Sequence, residues 1–267
     1  GWEFAGSVMR GVHPGEVWVV MQRERDEHAR VIQDRARERA GVKVAHIGES
    51  AFDALPLLHA LQATVLLGVT SNRNFLADAL ALYDAEDQPH PRQLVEAWRA
   101  FGRAGPDLAC VQAPLEITNR DESAVAMMFA FEYAALFRGL LPWLSSRRLL
   151  LPLGGTSNHF RRAALEEVGG WDPYNVTEDA DLGVRLARFG FRTETIAPPT
   201  GEAAPADIAT WLPQRTRWMK GWLHTWLVHM RNPLRLWREL GTGSFLIAQI
   251  LFAGLVVSAL VHPFLVV

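Results

Sequence analysis

Short apolar runs alternate with polar, helix-favouring stretches along most of the chain, and their periods set the expected elements. Val17 to Met21 is a β-type run, and Val42 to Ile47 alternates as a half-buried strand does. Between them residues 22–40, QRERDEHARVIQDRARERA, are charged and rich in helix formers, which predicts a solvated helix. Phe52 to Leu67 is apolar without a decisive period. Phe75 to Tyr83 reads as an apolar strand-like segment that runs directly into the acidic stretch DAEDQPHP. Pro89 and Pro91 mark a loop there, and Gln93 to Phe101 then takes up helical spacing. Leu108 to Ile117 predicts a strand, with Pro114 as an edge or an irregularity. Glu122 to Leu144 predicts a long apolar helix suited to a core or to a membrane. Leu149 to Leu153 leads into Gly154-Gly155-Thr156-Ser157-Asn158, a turn whose Ser157 or Asn158 is expected to cap a short helix ending at Gly169-Gly170. Strand and helix patterns that alternate in this way predict an α/β layer architecture, with the ligand site beyond the carboxyl ends of the strands.

The last third of the chain is different. Asp207 to Met230 predicts a helix with Trp211, Trp218, Trp222 and Trp226 at intervals of 7, 4 and 4, and with Arg217, Lys220, His224 and Arg231 along a neighbouring face. Residues 207–233 are therefore expected to form an amphipathic interfacial helix. Ser244 to Val267 carries no charged side chain. As a helix it would extend about 36 Å, enough for a hydrocarbon layer roughly 30 Å thick, so one transmembrane helix is expected over 244–267. No earlier apolar stretch reads as long enough to span. Arg231, Arg235 and Arg238 against Glu239 form a positive flank, which places everything upstream on the cytoplasmic side of the inner (plasma) membrane. Gly1 in place of Met gives the chain the look of a fragment.

Composition narrows the function. Lys plus Arg total 27 against 29 for Asp plus Glu, which excludes nucleic acid as a partner gripped along the chain. The single Cys110 excludes a disulfide framework and an all-thiolate zinc site. Ten Trp against three Tyr favour the indole, which suits membrane interfaces and stacks on sugars.

Three constellations carry the candidate chemistry. Asp84, Glu86 and Asp87 follow the strand-like segment; hard oxygen ligands of this kind suit Mg²⁺ or Mn²⁺, whose shell substrate phosphates can complete. A solvated acidic loop is the plainer reading of the same residues. Thr177 stands where it can cap a helix, with Glu178 and Asp179 in its first turn. Carboxylates there either compensate the helix dipole or accept a proton from a substrate hydroxyl. Gln214, Arg217 and Trp218 at i, i+3 and i+4 form one patch, in which a guanidinium can fork onto phosphate and an indole can stack on a pyranose.

The segments DAEDQPHPRQL, CVQAPLEITN, PLGGTSNHFRRAALEEVGGWDPYNVTEDADLGVRLARFGFRT and QRTRWMKGWLHTWLVHMRNP resemble the membrane-embedded family 2 glycosyltransferases, the group of cellulose, chitin and hyaluronan synthases. The likeness covers roughly residues 80–267 and rests on a TED sequence followed about 35 residues later by QxxRW. It implies an α/β, GT-A-like mixed sheet flanked by helices, then the interfacial and transmembrane helices. It also implies an inverting, metal-dependent transfer of a sugar from a nucleotide-diphosphate donor, a UDP-sugar foremost, to a hydroxyl acceptor in polysaccharide synthesis at the membrane. On this resemblance Asp179 is the general base and Glu178, Gln214, Arg217, Trp218, Gly154, Gly155 and Thr156 bind substrate. Asp84, Glu86 and Asp87 hold Mg²⁺ or Mn²⁺, with Glu where the family's second metal Asp stands. Carbohydrate or lipid-linked acceptors and membrane lipids are the further partners. Residues 1–80 are then a divergent or incomplete nucleotide-sugar-binding half, in which Asp26, Asp34 and Asp53 are candidates for contacting the base, and 81–206 the metal and acceptor half. Non-processive transfer to a lipid carrier or single acceptor, and an inactive membrane-anchored binding scaffold, are the alternatives.

Overall fold

The computed structural model describes residues 79–84, 87–172 and 174–255, positions 257, 258 and 261, and the backbone of three N-terminal strands. The helix expected over 22–40, the candidates Asp26, Asp34 and Asp53, Glu86, and the end of the expected membrane span lie outside the described residues. In chain order the first elements are β1 (Val17–Met21), β2 (Lys43–His46), β3 (Thr64–Val69), β4 (Ala79–Asp84) and β5 (Gln88–Pro89). They are followed by α1 (Gln93–Arg103), β6 (Leu108–Gln112), β7 (Leu115–Ile117), α2 (Ala124–Tyr133) and α3 (Leu141–Ser146). Then come β8 (Asn158–Arg161), α4 (Arg162–Glu167), α5 (Glu178–Arg188), β9 (Arg192–Thr195), β10 (Thr200–Glu202), α6 (Ile208–His229) and α7 (Pro233–Ala248).

The chain forms two compact units, one of Gly1–Glu116, Thr156–Gly170 and Thr195–Glu202, the other of Ile117–Gly155, Trp171–Glu194 and Ala203–Val267. In the first unit six strands stand in the order β2-β1-β3-β4-β8-β6. β1 and β2 are parallel and every other neighbouring pair among these six is antiparallel, so the sheet is mixed, as expected. The amphipathic α1 lays Ala97, Ala100 and Phe101 on Leu108 and Val111 of β6. Pro114 does break the strand expected over 108–117, separating β6 from β7.

One expectation fails here. Ser157 and Asn158 do not cap a helix: Asn158 opens β8 and pairs with both β4 and β6, while Ser157 takes a left-handed φ of 61°. The Ser157 hydroxyl is spent on Thr200 Oγ1 at 2.6 Å, and the helix begins only at Arg162, without a side-chain cap. It does end at the glycine pair, where Gly169 and Gly170 take φ of 82° and 66°.

β8 also buries a titratable group. His159 Nδ1 lies 3.1 Å from Val111 O and Nε2 lies 2.8 Å from Tyr83 Oη, so the ring donates to the carbonyl and accepts from the phenol. Burial pushes the imidazole down to about 4 from 6.5, against the pull of the Val111 carbonyl. The unfolded chain therefore binds the extra proton between those values. Stability is full above about pH 6.5 and falls by about 3 kcal/mol as pH drops to about 4. Thermal melts of His159→Gln, which keeps an acceptor for Tyr83 but does not titrate, should show a flatter slope in that window; an unchanged slope refutes the assignment.

The second unit is helical. Ser123 Oγ accepts from Ala126 N at 3.1 Å and starts α2, which passes through a π-helical stretch, Ala134–Leu140, into α3. The expectation that no stretch before 244 could span a membrane is thereby corrected. The continuous helix Ala124–Ser146, 23 residues of mean hydropathy 1.5, is long and apolar enough by length and composition. Only 28 % of its apolar window is buried, and Met127, Met128 and Phe131 are exposed. α6 starts on Asp207, whose Oδ1 accepts from Thr210 N at 2.8 Å, and runs over nearly the expected residues. α7 kinks at Gly241 (φ 70°) and continues as a π-helical turn through Ala253. Within the segment expected to span, Ala248 and Phe252 pack on Leu150, Ala180, Val184 and Leu236, whereas Leu246 and Ile250 are exposed.

Candidate functional site

In the first unit β4 buries Ala81, Leu82 and Tyr83 and ends on Asp84, whose side chain is exposed. The acidic turn that follows is held from below. Asp87, 3 % exposed, accepts a hydrogen bond from the Thr156 hydroxyl on its Oδ2, and Asp84 N lies 3.2 Å from that oxygen and 3.1 Å from Thr156 Oγ1. Thr156 is held in turn by Gln112 Nε2, which donates to its carbonyl at 3.0 Å. Beneath lies a buried polar cluster in which Gln93 Nε2 and Ser157 Oγ both donate to Thr200 Oγ1, at 2.9 and 2.6 Å. Asp84 and Asp87 thus play different parts: one carboxylate faces outward while the other fixes the turn. Thr156 supports that turn through its bonds to Asp87 and to Asp84 N. Among the described residues no three His, Cys, Asp or Glu side chains gather as a metal cage. A hard divalent cation at Asp84 would have to fill its shell largely with phosphate and water oxygens, a donor set that Mg²⁺ and Mn²⁺ accept.

The second unit contains the remaining candidates, among which Asp179 neighbours Gly155 and Glu178 neighbours Arg217. Glu178, Asp179 and Asp181 all lie in its first turn, where the backbone dipole favours carboxylates. Thr177 occupies the cap position, but its side chain makes no capping bond. Ala180 N donates to Asp179 Oδ1 at 2.7 Å, and Oδ2 stands 3.5 Å from the point a Cβ on Gly155 would occupy. The Gly154-Gly155 turn therefore passes directly beside the expected base. Burial pushes the Glu178 carboxyl up, opposed by its own backbone N–H and by the nearby Arg217 guanidinium.

On α6, Arg217 is exposed, and Gln214 Oε1 is buried with no hydrogen-bond partner among the described residues. A buried orphan acceptor is unusual and suits a ligand hydroxyl. Trp218 is fixed by neighbours that motif reading did not single out. Arg215 forks onto the Glu132 carboxylate, with Nη1 donating to Oε1 at 2.6 Å. Its guanidinium lies 4.7, 5.5 and 5.1 Å from the ring centroids of Phe129, Trp211 and Trp218. The tryptophan stripe as a whole packs against protein: Trp222 meets Phe252 at 4.8 Å between centroids and Trp226 Nε1 donates to Gln249 at 2.9 Å. The exposed large apolar side chains of α6 are Ile208, Leu212 and Leu227.

Two of the open cavities on the described surface bear on the site. One of about 480 Å³ is lined by Val176, Leu212, Pro213, Thr216, Arg217 and Lys220. The other, about 570 Å³, opens at the start of β4, lined by none of the candidate residues. Its two cations are already engaged, Arg161 on the carbonyls of Leu108 and Phe101 and Arg162 on Glu166. The chemistry therefore favours the smaller cavity over the larger.

The family described as "Glycosyl transferase family group 2" matches residues 79–267. Over 143 residues, 53 % of the chain and 32 % of the relative, the sequence is 29 % identical to probable glucomannan 4-beta-mannosyltransferase 11 of Arabidopsis thaliana. Over 150 residues, 53 % and 13 % of the two chains, it is 33 % identical to a UDP-forming cellulose synthase of Dictyostelium discoideum. The chain thus spans about a third or less of the length of these relatives. Mannosyltransferase PcManGT from Pyrobaculum calidifontis, solved in complex with GDP-Man and Mn²⁺, superposes with a TM-score of 0.54 at 17 % identity. The match covers 97 % of this chain and 76 % of that one and shows a shared GT-A fold.

Proposed function

The chain belongs to glycosyl transferase family group 2, and from that premise we propose that it serves an inverting transfer of a sugar from a nucleoside diphosphate to a hydroxyl acceptor. The observation that carries the proposal is the start of α5, where Asp179 stands beside the Gly154-Gly155 turn and Glu178 beside Arg217. In this reading Asp179 takes the acceptor hydroxyl proton as the new bond to the anomeric carbon forms and the bond to the diphosphate oxygen breaks. Arg217 pairs with the departing diphosphate, Gln214 accepts from a sugar hydroxyl, and Trp218, held by Arg215 and Phe129, offers a face to the acceptor ring. Asp84, with Glu86 and Asp87 near it in sequence, would hold Mg²⁺ or Mn²⁺, which when bound supplies Lewis-acid stabilisation of the leaving group. No covalent enzyme intermediate is needed, and position and charge do the work.

The product is proposed to be a polysaccharide, since the matched relatives are named for glucomannan and cellulose. The exposed apolar surface of Ala124–Ser146 and the apolar run 244–267 support synthesis at the cytoplasmic face of a membrane. Residues 1–80 would supply the rest of the nucleotide site. The test is a screen of labelled GDP- and UDP-sugars with the full protein in membranes. One donor should give Mn²⁺- or Mg²⁺-dependent transfer that chelation abolishes and Asp84→Ala lowers by at least 10-fold (about 1.4 kcal/mol). Absence of both transfer and nucleotide binding for every donor would overturn the proposal.

A further inference from the structure

Between the two motifs on which the proposed function rests runs a seam that neither motif contains. α6 buries just three residues, Gly221, Thr225 and His229, one turn apart along a single face that continues from Arg217. Each meets the segment that carries Glu178 and Asp179. A Cβ on Gly221 would stand 2.5 Å from Thr177 Cγ2, so only a glycine lets the helix approach this closely. Thr225 Oγ1 accepts from Asn175 Nδ2 at 2.8 Å, and Asn175 Oδ1 accepts from Thr177 N at 3.1 Å, directly before α5. His229 closes the far end: Nδ1 accepts from Arg188 Nη1 at 2.8 Å, which leaves Nε2 to donate to Asp181 Oδ1 at 2.9 Å. Burial pushes Asp181 up, but the His229 and Arg185 bonds outweigh it and hold the carboxylate below its usual range.

We infer that Thr225, acting through Asn175, is a positioning residue that fixes the start of α5, and with it Asp179, against the helix that presents Arg217 and Trp218. Asn175 is buried and spends its amide on Thr225 and its carbonyl on the backbone of Thr177. One side chain thus ties α6 to the cap position of α5. The Gly221 contact sets the separation of the two helices, the His229–Asp181 bond ties them at the far end, and the Thr225–Asn175 bond ties α6 to the residues directly before Asp179.

The test compares Thr225→Val, which keeps the shape and removes the acceptor, with Thr225→Ser, which keeps the hydroxyl. The full protein in membranes is assayed with whichever GDP- or UDP-sugar the donor screen identifies. Thr225→Val is expected to lower kcat on the order of 10- to 100-fold, as a misplaced catalytic group does, with the donor KM within about twofold of wild type. Thr225→Ser should restore most of the rate. Wild-type kcat in the valine variant, or a loss that serine does not restore, overturns the inference. If valine and a companion Thr225→Ala variant both fail to accumulate while serine behaves normally, the hydroxyl serves folding alone, which also overturns it. Because the inference rests on the proposed function, failure of that function is read separately, as no transfer by the wild type from any donor.

Discussion

Asp179→Asn is expected to abolish sugar transfer, lowering the rate by about 10²- to 10⁴-fold, while nucleotide-sugar binding stays near its wild-type value. The substitution keeps size and polarity, and the amide oxygen can still accept from Ala180 N as Oδ1 does. What changes is the second atom. Oδ2, which stands beside Gly155, becomes either an N–H₂ or an oxygen that cannot take up a proton. The proton of the attacking hydroxyl then has no nearby acceptor as the bond to the anomeric carbon forms. Donor contacts are assigned to other residues, Arg217 and Asp84 among them, so the donor affinity should be spared. Calorimetric titration with the nucleotide alongside single-turnover transfer separates the two quantities. Undiminished transfer would remove Asp179 from the base role, and lost nucleotide binding would place it on the donor instead.

How much of this was legible in the sequence depends on the range over which each feature is decided. The start of α5 was, because Thr-Glu-Asp before a helical period is a local signal, and so were α1 and α6, whose periods run for several turns. The role of Asp87 was not: its bond to Thr156 joins residues 69 apart, and an acidic tetrapeptide gives no hint which carboxylate turns inward. Ser157 misled for a related reason. A serine after two glycines looks like a cap, but its hydroxyl is claimed by Thr200 and its backbone is drawn toward the ladder of β8. The tryptophan spacing read as an interfacial stripe and could not say what lies opposite, which in part is Phe129, Phe252 and Gln249. Gly221, Thr225 and His229 could have been noticed, since three small or polar residues four apart inside an apolar helix are themselves a pattern.

Gly183→Ala carries the largest expected effect on stability, and its sign runs against helix propensity. On an exposed helix the exchange would stabilise by about 1 kcal/mol. Here a Cβ would stand 2.3 Å from the carbonyl oxygen of Leu151, 3.1 Å from Leu153 N and 3.3 Å from Leu153 Cγ. Two of those atoms are backbone and cannot rotate aside, so α5 or the segment beneath it has to move. Overpacking of this kind costs about 1–3 kcal/mol, and a backbone clash puts this site at the upper end. The cost extends to chemistry because Leu151 to Leu153 leads straight into Gly154-Gly155, and Gly183 lies one turn beyond Asp179 on the same face. The close approach that Gly183 permits therefore sets the distance between Asp179 and the turn beside it. At temperatures where the variant remains folded, its transfer rate should fall on the order of 10²-fold, the expected result of a displacement of about 1 Å. Gly102→Ala in α1, where an added Cβ meets nothing within 4 Å, is the control and should melt no lower than wild type, with transfer unchanged. A Gly183→Ala protein that melts and transfers like the control would show that α5 is free to shift, and that the spacing around Asp179 is set elsewhere.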